Sequence, residues 1–166
     1  MRKVSPATVS KRINALKEEI NELVEKENKT CTYIVSPGEK PEEARPDYDY
    51  KETQRRIIEL EEEVRKLRHI MNVFNTSTIV PGFDMTIDEI LVYIPHLRER
   101  KNKLSILKKR LPKSRTSSYQ GIVEYTYCNY SVDKAAADYK VVSEELSKAQ
   151  NALDYINSTG EIEVDW

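Results

Sequence analysis

Four long stretches of this chain carry apolar residues at alternating spacings of three and four, and this pattern restricts the fold more than any other feature. The spacing places the apolar side chains of each stretch on one face of an α-helix. The predicted helices cover residues 6–29, 50–75, 86–111 and 132–157. We therefore predict a mainly α protein, in which four long heptad-patterned helices form helical pairs or a bundle.

Residues that favour helix ends support these boundaries. Ser5 followed by Pro6 is typical of an N-cap with a first-turn proline. Thr86 with Glu89 three residues later is a capping-box pattern. Pro95 falls inside the third predicted helix, where it removes one backbone hydrogen bond and is expected to bend the helix.

Each predicted helix is followed by a short segment with β-like composition. These segments cover residues 30–36, 76–80, 122–128 and 161–165. An isolated two-stranded hairpin is marginal in water, so we expect the segments to pair antiparallel with one another or across subunits. Narrow apolar seams on long helices also favour partner helices on another chain. Together these patterns predict one helical domain over residues 1–166 that assembles as a homo-oligomer.

Charge and hydropathy limit the partners that can be expected. The chain has 27 Lys and Arg against 28 Asp and Glu, a net charge of −1, so no global attraction to long nucleic acid or to an anionic membrane is predicted. Any anion site must be local. The basic N-terminus lacks the apolar run of a signal peptide and no stretch is long and apolar enough to span a membrane, so a cytoplasmic location is expected.

No catalytic or metal-binding pattern stands out. His69 and His96 lie in different predicted helices, without metal-ligand spacing to Cys31 or Cys128. The two cysteines are interpreted as thiols, with a disulfide as the alternative. We expect a protein that is not an enzyme and has no cofactor or metal.

Polar residues concentrate where the second predicted helix gives way to the third. Asn72, Asn75, Thr76 and Thr78 lie there, and two interpretations remain open. The first is that these side chains cap helix ends. The second is that they line a cleft for a small anionic ligand. The cleft would be completed by cationic and aromatic side chains, namely Tyr93, Arg98, Arg100, Lys101, Tyr125 and Tyr127.

The stretch NVFNTSTIVPGFDMTIDEILVYIPHLRERKNKL resembles the central motif of the septicolysin-like family of helical, largely uncharacterised proteins. SPGEKPEEARPDYDY and LSKAQNALDYIN are similar to two further segments of that family. The resemblance implies that Asn72, Asn75, Thr76 and Thr78 take the polar positions of the motif. Arg98 or Arg100 takes the position of its downstream arginine. The chain departs from the family pattern at Lys101, where the family has an acidic residue.

Three functions follow from these patterns. The first is a non-catalytic oligomeric protein that sequesters a small anionic, nucleotide-like signalling molecule in a pocket between helices or subunits. The second is a coiled-coil scaffold without a small ligand. The third, suggested by the family name, is a membrane-active, pore-forming protein.

Overall fold

The computed structural model describes residues 2–117 and 121–165, and this part of the chain is mainly helical, as predicted. In chain order the elements are β1 (Arg2–Val4), α1 (Pro6–Thr30), α2 (Pro41–Ala44), α3 (Tyr50–Ser77), α4 (Ile87–Leu107), β2 (Lys113–Ser117), β3 (Val123–Tyr127), α5 (Val132–Thr159) and β4 (Ile162–Val164). Four of the five helices correspond to the four predicted ones.

The chain divides into two compact units, where the sequence predicted one domain. The first unit comprises Met1–Phe74 and Asn157–Trp166, and the second comprises Asn75–Ile156. Each unit contains two long helical segments and one pair of antiparallel strands. The two units are described separately below.

In the first unit, α1 and α3 run antiparallel. Arg12 of α1 pairs with Glu63 of α3 at 2.8 Å, and Glu19 of α1 pairs with Arg56 of α3 at 2.5 Å. Residue numbers therefore increase in opposite directions along the two helices. An apolar core lies beneath these ion pairs. Its buried members are Val9, Ile13, Leu16, Leu60, Leu67, Ile162 and Val164. Burial of this face stabilises the helix pair far more than the exposed ion pairs do.

The predicted terminal strand forms, but its partner was not anticipated. β4 pairs antiparallel with β1, with Lys3 opposite Glu163. The alternation of buried and exposed positions in β4 turns Ile162 and Val164 into the core of the first unit. β1 has only three residues, too few for a periodic pattern, so this strand was not predicted.

In the second unit, α4 and α5 are antiparallel. The Tyr93 hydroxyl of α4 donates a hydrogen bond to Glu145 of α5, and the Tyr130 hydroxyl, just before α5, donates to the Leu107 carbonyl at 2.9 Å. The buried side chains of α4 are Ile87, Ile90, Ile94 and Leu97, and those of α5 include Ala135, Val142, Leu146 and Ala149. The structure buries Ile90 and leaves Leu91 exposed, although both satisfy a spacing of three or four from Ile87.

The helix starts were predicted correctly. At α1 the Thr8 amide donates to the Ser5 hydroxyl at 3.3 Å, and Pro6 occupies the first turn. At α4 the capping box between Thr86 and Glu89 is complete, because the Thr86 amide donates to the Glu89 carboxylate at 2.7 Å and the Glu89 amide donates back at 3.3 Å. The bond from the Thr86 amide, with a second one from the Thr86 hydroxyl at 3.0 Å, lowers the pKa of Glu89, since both favour the charged carboxylate.

The end of the third predicted helix was wrong. The prediction extended to residue 111, whereas α4 ends at Leu107. The amides of Lys109 and Arg110 donate to carbonyls three residues back, at 3.3 Å each, so the chain leaves the α-helix through tighter turns. Pro112 disfavours helical backbone at Leu111, the residue before it, so the helix ends earlier than the apolar pattern predicted.

Two of the predicted β-segments were wrong. Residues 32–35 contain no regular structure, and the segment 76–80 contributes only an isolated bridge between Ile79 and Thr86. Threonine, tyrosine and valine favour strands only where a partner strand is available. The segment 122–128 does form β3, but its partner β2 lies outside the predicted β-segments because KSRTS has no apolar alternation. The connector between the first two predicted helices contains the short helix α2.

Candidate functional site

The hairpin of β2 and β3 places cationic and aromatic side chains on one face. Lys113 is directly opposite Tyr127, and Arg115 is directly opposite Tyr125. Opposite residues of an antiparallel pair share a face, and residues two apart along a strand share it as well. We call these four residues, Lys113, Arg115, Tyr125 and Tyr127, the hairpin face.

Both tyrosine rings of the hairpin face are accessible to solvent. Tyr125 is 51% exposed and Tyr127 is 63% exposed. The Lys113 Nζ lies 4.1 Å from the centroid of the Tyr125 ring and 5.3 Å from that of Tyr127, within the range of cation–π attraction. A cation is thus held beside two rings whose surfaces are largely open.

The hairpin face continues a strongly basic segment of the chain. Residues 98–115, which we call the basic segment, carry nine Lys or Arg and one acidic residue, Glu99. It starts in α4 and ends in β2, and it includes Arg98, Arg100 and Lys101 of the predicted site. Because the rest of the chain is acidic, the net charge of the whole chain is only −1 and does not reveal this basic segment.

The cations of the basic segment differ from those of the first unit in their pairing. In the first unit, arginines such as Arg12, Arg55 and Arg56 are paired with glutamates. Among the described residues, no carboxylate lies within 4.0 Å of a cationic group of the basic segment. Their charge is therefore available to an external anion.

Lys101 interrupts the apolar seam of α4, and its surroundings explain how the helix accepts it. Its Nζ lies 5.9 Å from the centroid of the Tyr139 ring of α5, and the Nζ of Lys108 lies 3.4 Å from the same centroid. Beyond Leu97, no residue of α4 is fully buried. Toward the hairpin, cation–π contacts with Tyr139 thus occupy the place of an apolar core between the helices.

Tyr93 is engaged inside the helix pair. Its hydroxyl donates to the Glu145 carboxylate, and this hydrogen bond, together with burial, raises the pKa of Tyr93, while the positive charge of Arg100 opposes the rise. The hydroxyl therefore links α4 to α5. Arg98 and Arg100 are exposed.

The polar cluster of the predicted site lies at the other end of α4. Asn75 and Thr76 are in the last turn of α3, and Thr78 starts the loop that leads to α4. The loop is closed by its own backbone, because the Ile87 amide donates to the Thr78 carbonyl at 3.0 Å and the Val80 amide donates to the Met85 carbonyl at 2.8 Å. The backbone bonds of Thr78 thus belong to a helix junction.

The structure does not bring the predicted site residues together. α4 has 21 residues and is about 30 Å long. Thr78 lies at its start, whereas β3 with Tyr125 and Tyr127 follows its end, where the Cys128 amide donates to the Pro112 carbonyl at 3.0 Å. Asn72 lies about one turn before Asn75 and Thr76 in α3. Of the predicted residues, Tyr125 and Tyr127 lie together on β3, and Arg98, Arg100 and Lys101 lie in the second half of α4.

A cleft of about 630 Å³ lies at the junction end of the second unit, between the turn Pro81 to Phe83 and α5. Its charged lining consists of Glu144, Glu145 and Lys148. With two carboxylates and one ammonium group, this cleft is unfavourable for an anionic ligand. The hairpin end is therefore the better candidate site for an anion.

Sequence reasoning missed two members of the hairpin face, Lys113 and Arg115. Both lie in β2, which is outside the predicted β-segments, so their register against Tyr125 and Tyr127 could not be predicted. The density of cations over residues 98–115 was a usable signal, because it stands out once charge is counted locally.

Other site chemistries receive no support from the described residues. Within residues 2–117 and 121–165, no group of three or more His, Cys, Asp or Glu side chains is arranged to hold a metal ion. Cys31 and Cys128 are free thiols. No helix of the described chain has both the length and the apolar character that a bilayer crossing requires.

Comparison with known proteins adds information on the fold. No protein-family model matches the chain, and no curated protein matches it. A solved structure from Corynebacterium diphtheriae, described as a functionally unknown conserved protein, is similar with a TM-score of 0.63. The similarity covers 98% of this chain and 100% of that chain at 16% sequence identity. At this identity the likeness concerns the fold alone.

Proposed function

We propose that this protein is a non-catalytic binding protein for a small anionic, nucleotide-like ligand, and that the ligand binds at the hairpin face. The observation that carries the proposal is the placement of Lys113 and Arg115 beside Tyr125 and Tyr127 on one exposed face. A guanidinium offers a bidentate fork to phosphate, an ammonium adds a point charge, and a tyrosine ring offers a surface for stacking a base.

Binding without conversion suits the chemistry of this face. Its four side chains supply positive charge and rings, and neither strand places a carboxylate or an imidazole on this face to act as a general base. Glu124, the carboxylate within β3, lies on the opposite face of the hairpin because it alternates with Tyr125. The site is therefore proposed to hold its ligand unchanged.

Self-association is part of the proposal. A two-stranded hairpin exposed on both faces is marginally stable alone, and every residue of β3 is exposed. Apolar side chains flank it, with Leu111 68% exposed and Ile122 63% exposed. We propose that a second copy covers these apolar side chains and places two hairpin faces near one ligand site.

Calorimetric titration with linear and cyclic nucleotides tests the ligand proposal. We expect at least one nucleotide to bind, and we expect Tyr125→Leu and Arg115→Gln each to weaken its binding about tenfold, the free energy of one stacking or one charged hydrogen bond. Tyr50→Leu is the matched control, because Tyr50 is 64% exposed but lies in the first unit.

Two results would count against this assignment. If no nucleotide gives a heat of binding or raises the melting temperature, the sequestering function is wrong. If a nucleotide binds but both hairpin variants keep the wild-type affinity, the ligand binds elsewhere. Arg98→Ala and Arg100→Ala then test whether the arginines of α4 hold it instead.

A further inference from the structure

The basic segment is longer than a small ligand can use. From Arg98 to Leu107 the chain climbs about 14 Å along α4, and it then continues into β2. A mononucleotide that stacks on one tyrosine of the hairpin face can reach the two cations beside it, Lys113 and Arg115. Such a ligand leaves exposed cations of α4, such as Arg98 and Arg100, without contact.

The two tyrosines indicate what form of polyanion fits. Tyr125 and Tyr127 are two residues apart on one strand, so their side chains emerge about 7 Å apart. Stacked bases in a duplex strand are about 3.4 Å apart and hide their faces from neighbouring side chains. Two rings at twice that spacing can each take one base only if the bases are unstacked, as in a single strand.

Charge and exposure agree with this form of ligand. The cations of the basic segment have no carboxylate partner within 4.0 Å among the described residues. Binding of a phosphate backbone to them would therefore break no ion pair with these residues. The rings of Tyr125 and Tyr127 are at least half exposed. Cations combined with exposed aromatic side chains are what proteins use to bind single strands without base-specific contacts.

We infer that the hairpin end of the second unit binds short single-stranded nucleic acid, with bases stacked on Tyr125 and Tyr127 and phosphates on the cations of the basic segment. This inference rests on the proposed function, because it assigns the class of ligand to the same face. The expectation that no long nucleic acid binds came from the net charge of the chain. That sum does not describe a segment with nine cations and one carboxylate.

The test is fluorescence anisotropy with end-labelled oligothymidylates of about two, four, eight and twelve nucleotides, together with a duplex of the longest length. We expect the affinity to rise with length until the basic segment is filled, and the duplex to bind at least about tenfold more weakly. The logarithm of the binding constant should fall with the logarithm of salt concentration with a slope of about −0.7 for each phosphate contacted.

Two double variants separate stacking from charge. Tyr125→Leu with Tyr127→Leu should lower the affinity about tenfold or more and leave the salt slope unchanged. Lys113→Gln with Arg115→Gln should reduce the magnitude of the salt slope by about 1.4, the value for two phosphates. Lys11→Gln with Lys51→Gln is the matched charge control, because both lysines are exposed helix residues of the first unit.

Each outcome has a distinct meaning. If a mononucleotide binds as tightly as the longest strand, the small-ligand function stands and the single-strand inference is overturned. If neither binds, both fail. If anionic phospholipid vesicles compete as well as the oligonucleotide and the tyrosine double variant binds normally, the surface recognises charge alone and the inference is again overturned. Circular dichroism on each variant establishes that the helices are retained.

Discussion

In each unit a tyrosine hydroxyl donates a hydrogen bond to a glutamate that is distant in sequence. Tyr48 donates to Glu27 in the first unit, and Tyr93 donates to Glu145 in the second. The Glu27 carboxylate also accepts from the Gln54 amide at 2.9 Å. Both tyrosines belong to an unusually large set of ten, yet the sequence could not assign partners to them, because a partner is fixed by the helix pairing and not by spacing along the chain.

The Tyr48 bond makes the stability of the first unit sensitive to alkaline pH. The hydrogen bond to Glu27, with smaller contributions from desolvation and from the carboxylate charge, raises the pKa of Tyr48 from 10.0 to about 12. The bond needs the neutral phenol, so its contribution to stability is complete below pH 10.0 and is lost as the pH rises through about 12.

We therefore expect Tyr48→Phe to be less stable than the wild type at neutral pH, with the difference shrinking between pH 10.0 and about 12. Urea unfolding followed by circular dichroism at several pH values measures this. Tyr33→Phe is the control, since Tyr33 is 42% exposed and close to the same segment. A difference between wild type and Tyr48→Phe that stays constant over this pH range would contradict the assigned bond.

Lys101 shows which properties of a candidate-site residue could be predicted from the sequence and which could not. It stands between Leu97 and Leu104, where the spacing of three and four would place an apolar residue. The structure places it near the Tyr139 ring, a contact that follows from the pairing of α4 with α5. The misfit was visible in the sequence, whereas its aromatic partner was not.

At the scale of elements, local signals decided the helix starts and tertiary structure decided most of the rest. Ser5 and the pair Thr86 and Glu89 are caps whose bonds lie within a few residues, so the sequence contains the whole interaction. A strand needs a partner, and the partners of β3 and β4 are segments without a strand-like pattern. The cationic side of the hairpin face was missed for the same reason.

Pro95 provides a prediction about α4. The helix continues from Ile87 to Leu107 through this residue, which is exposed. A proline in a helix interior removes a backbone hydrogen bond and crowds the preceding turn, a cost only partly offset by the stiffer unfolded chain. We expect Pro95→Ala to raise the free energy of unfolding by about 2 kcal/mol, measured by denaturant unfolding.

The control for this prediction is another proline at a helix. Pro41 begins α2, where the missing amide would have no helical partner, so Pro41→Ala should leave the stability unchanged or lower it slightly. If Pro95→Ala instead destabilises the protein, the turn around Pro95 is shaped by contacts that alanine cannot replace. Such a result would also indicate that the packing of α4 against α5 depends on a bend at Pro95.

At the scale of the whole molecule, the charges are distributed unevenly along a chain that is nearly neutral overall. Cations and carboxylates alternate and pair in the first unit, whereas the second unit concentrates cations in residues 98–115. Length and net charge describe neither arrangement. The mainly α fold was predictable because a helix produces a periodic pattern in the sequence, but the hairpin face was not, because it depends on the pairing of β2 with β3.

The oligomeric state provides the prediction that concerns the whole molecule. Leu111 and Ile122 are large apolar residues that flank a hairpin with little burial of its own, so a second copy would gain by covering them. We expect light scattering to give a mass of at least twice 19.3 kDa. Leu111→Ser with Ile122→Ser should shift this mass toward that of the single chain. Ile34→Ser is the control and should leave the mass unchanged, because it changes a 94% exposed residue of the first unit. A wild-type mass equal to that of one chain would show that the hairpin is stable without a second copy.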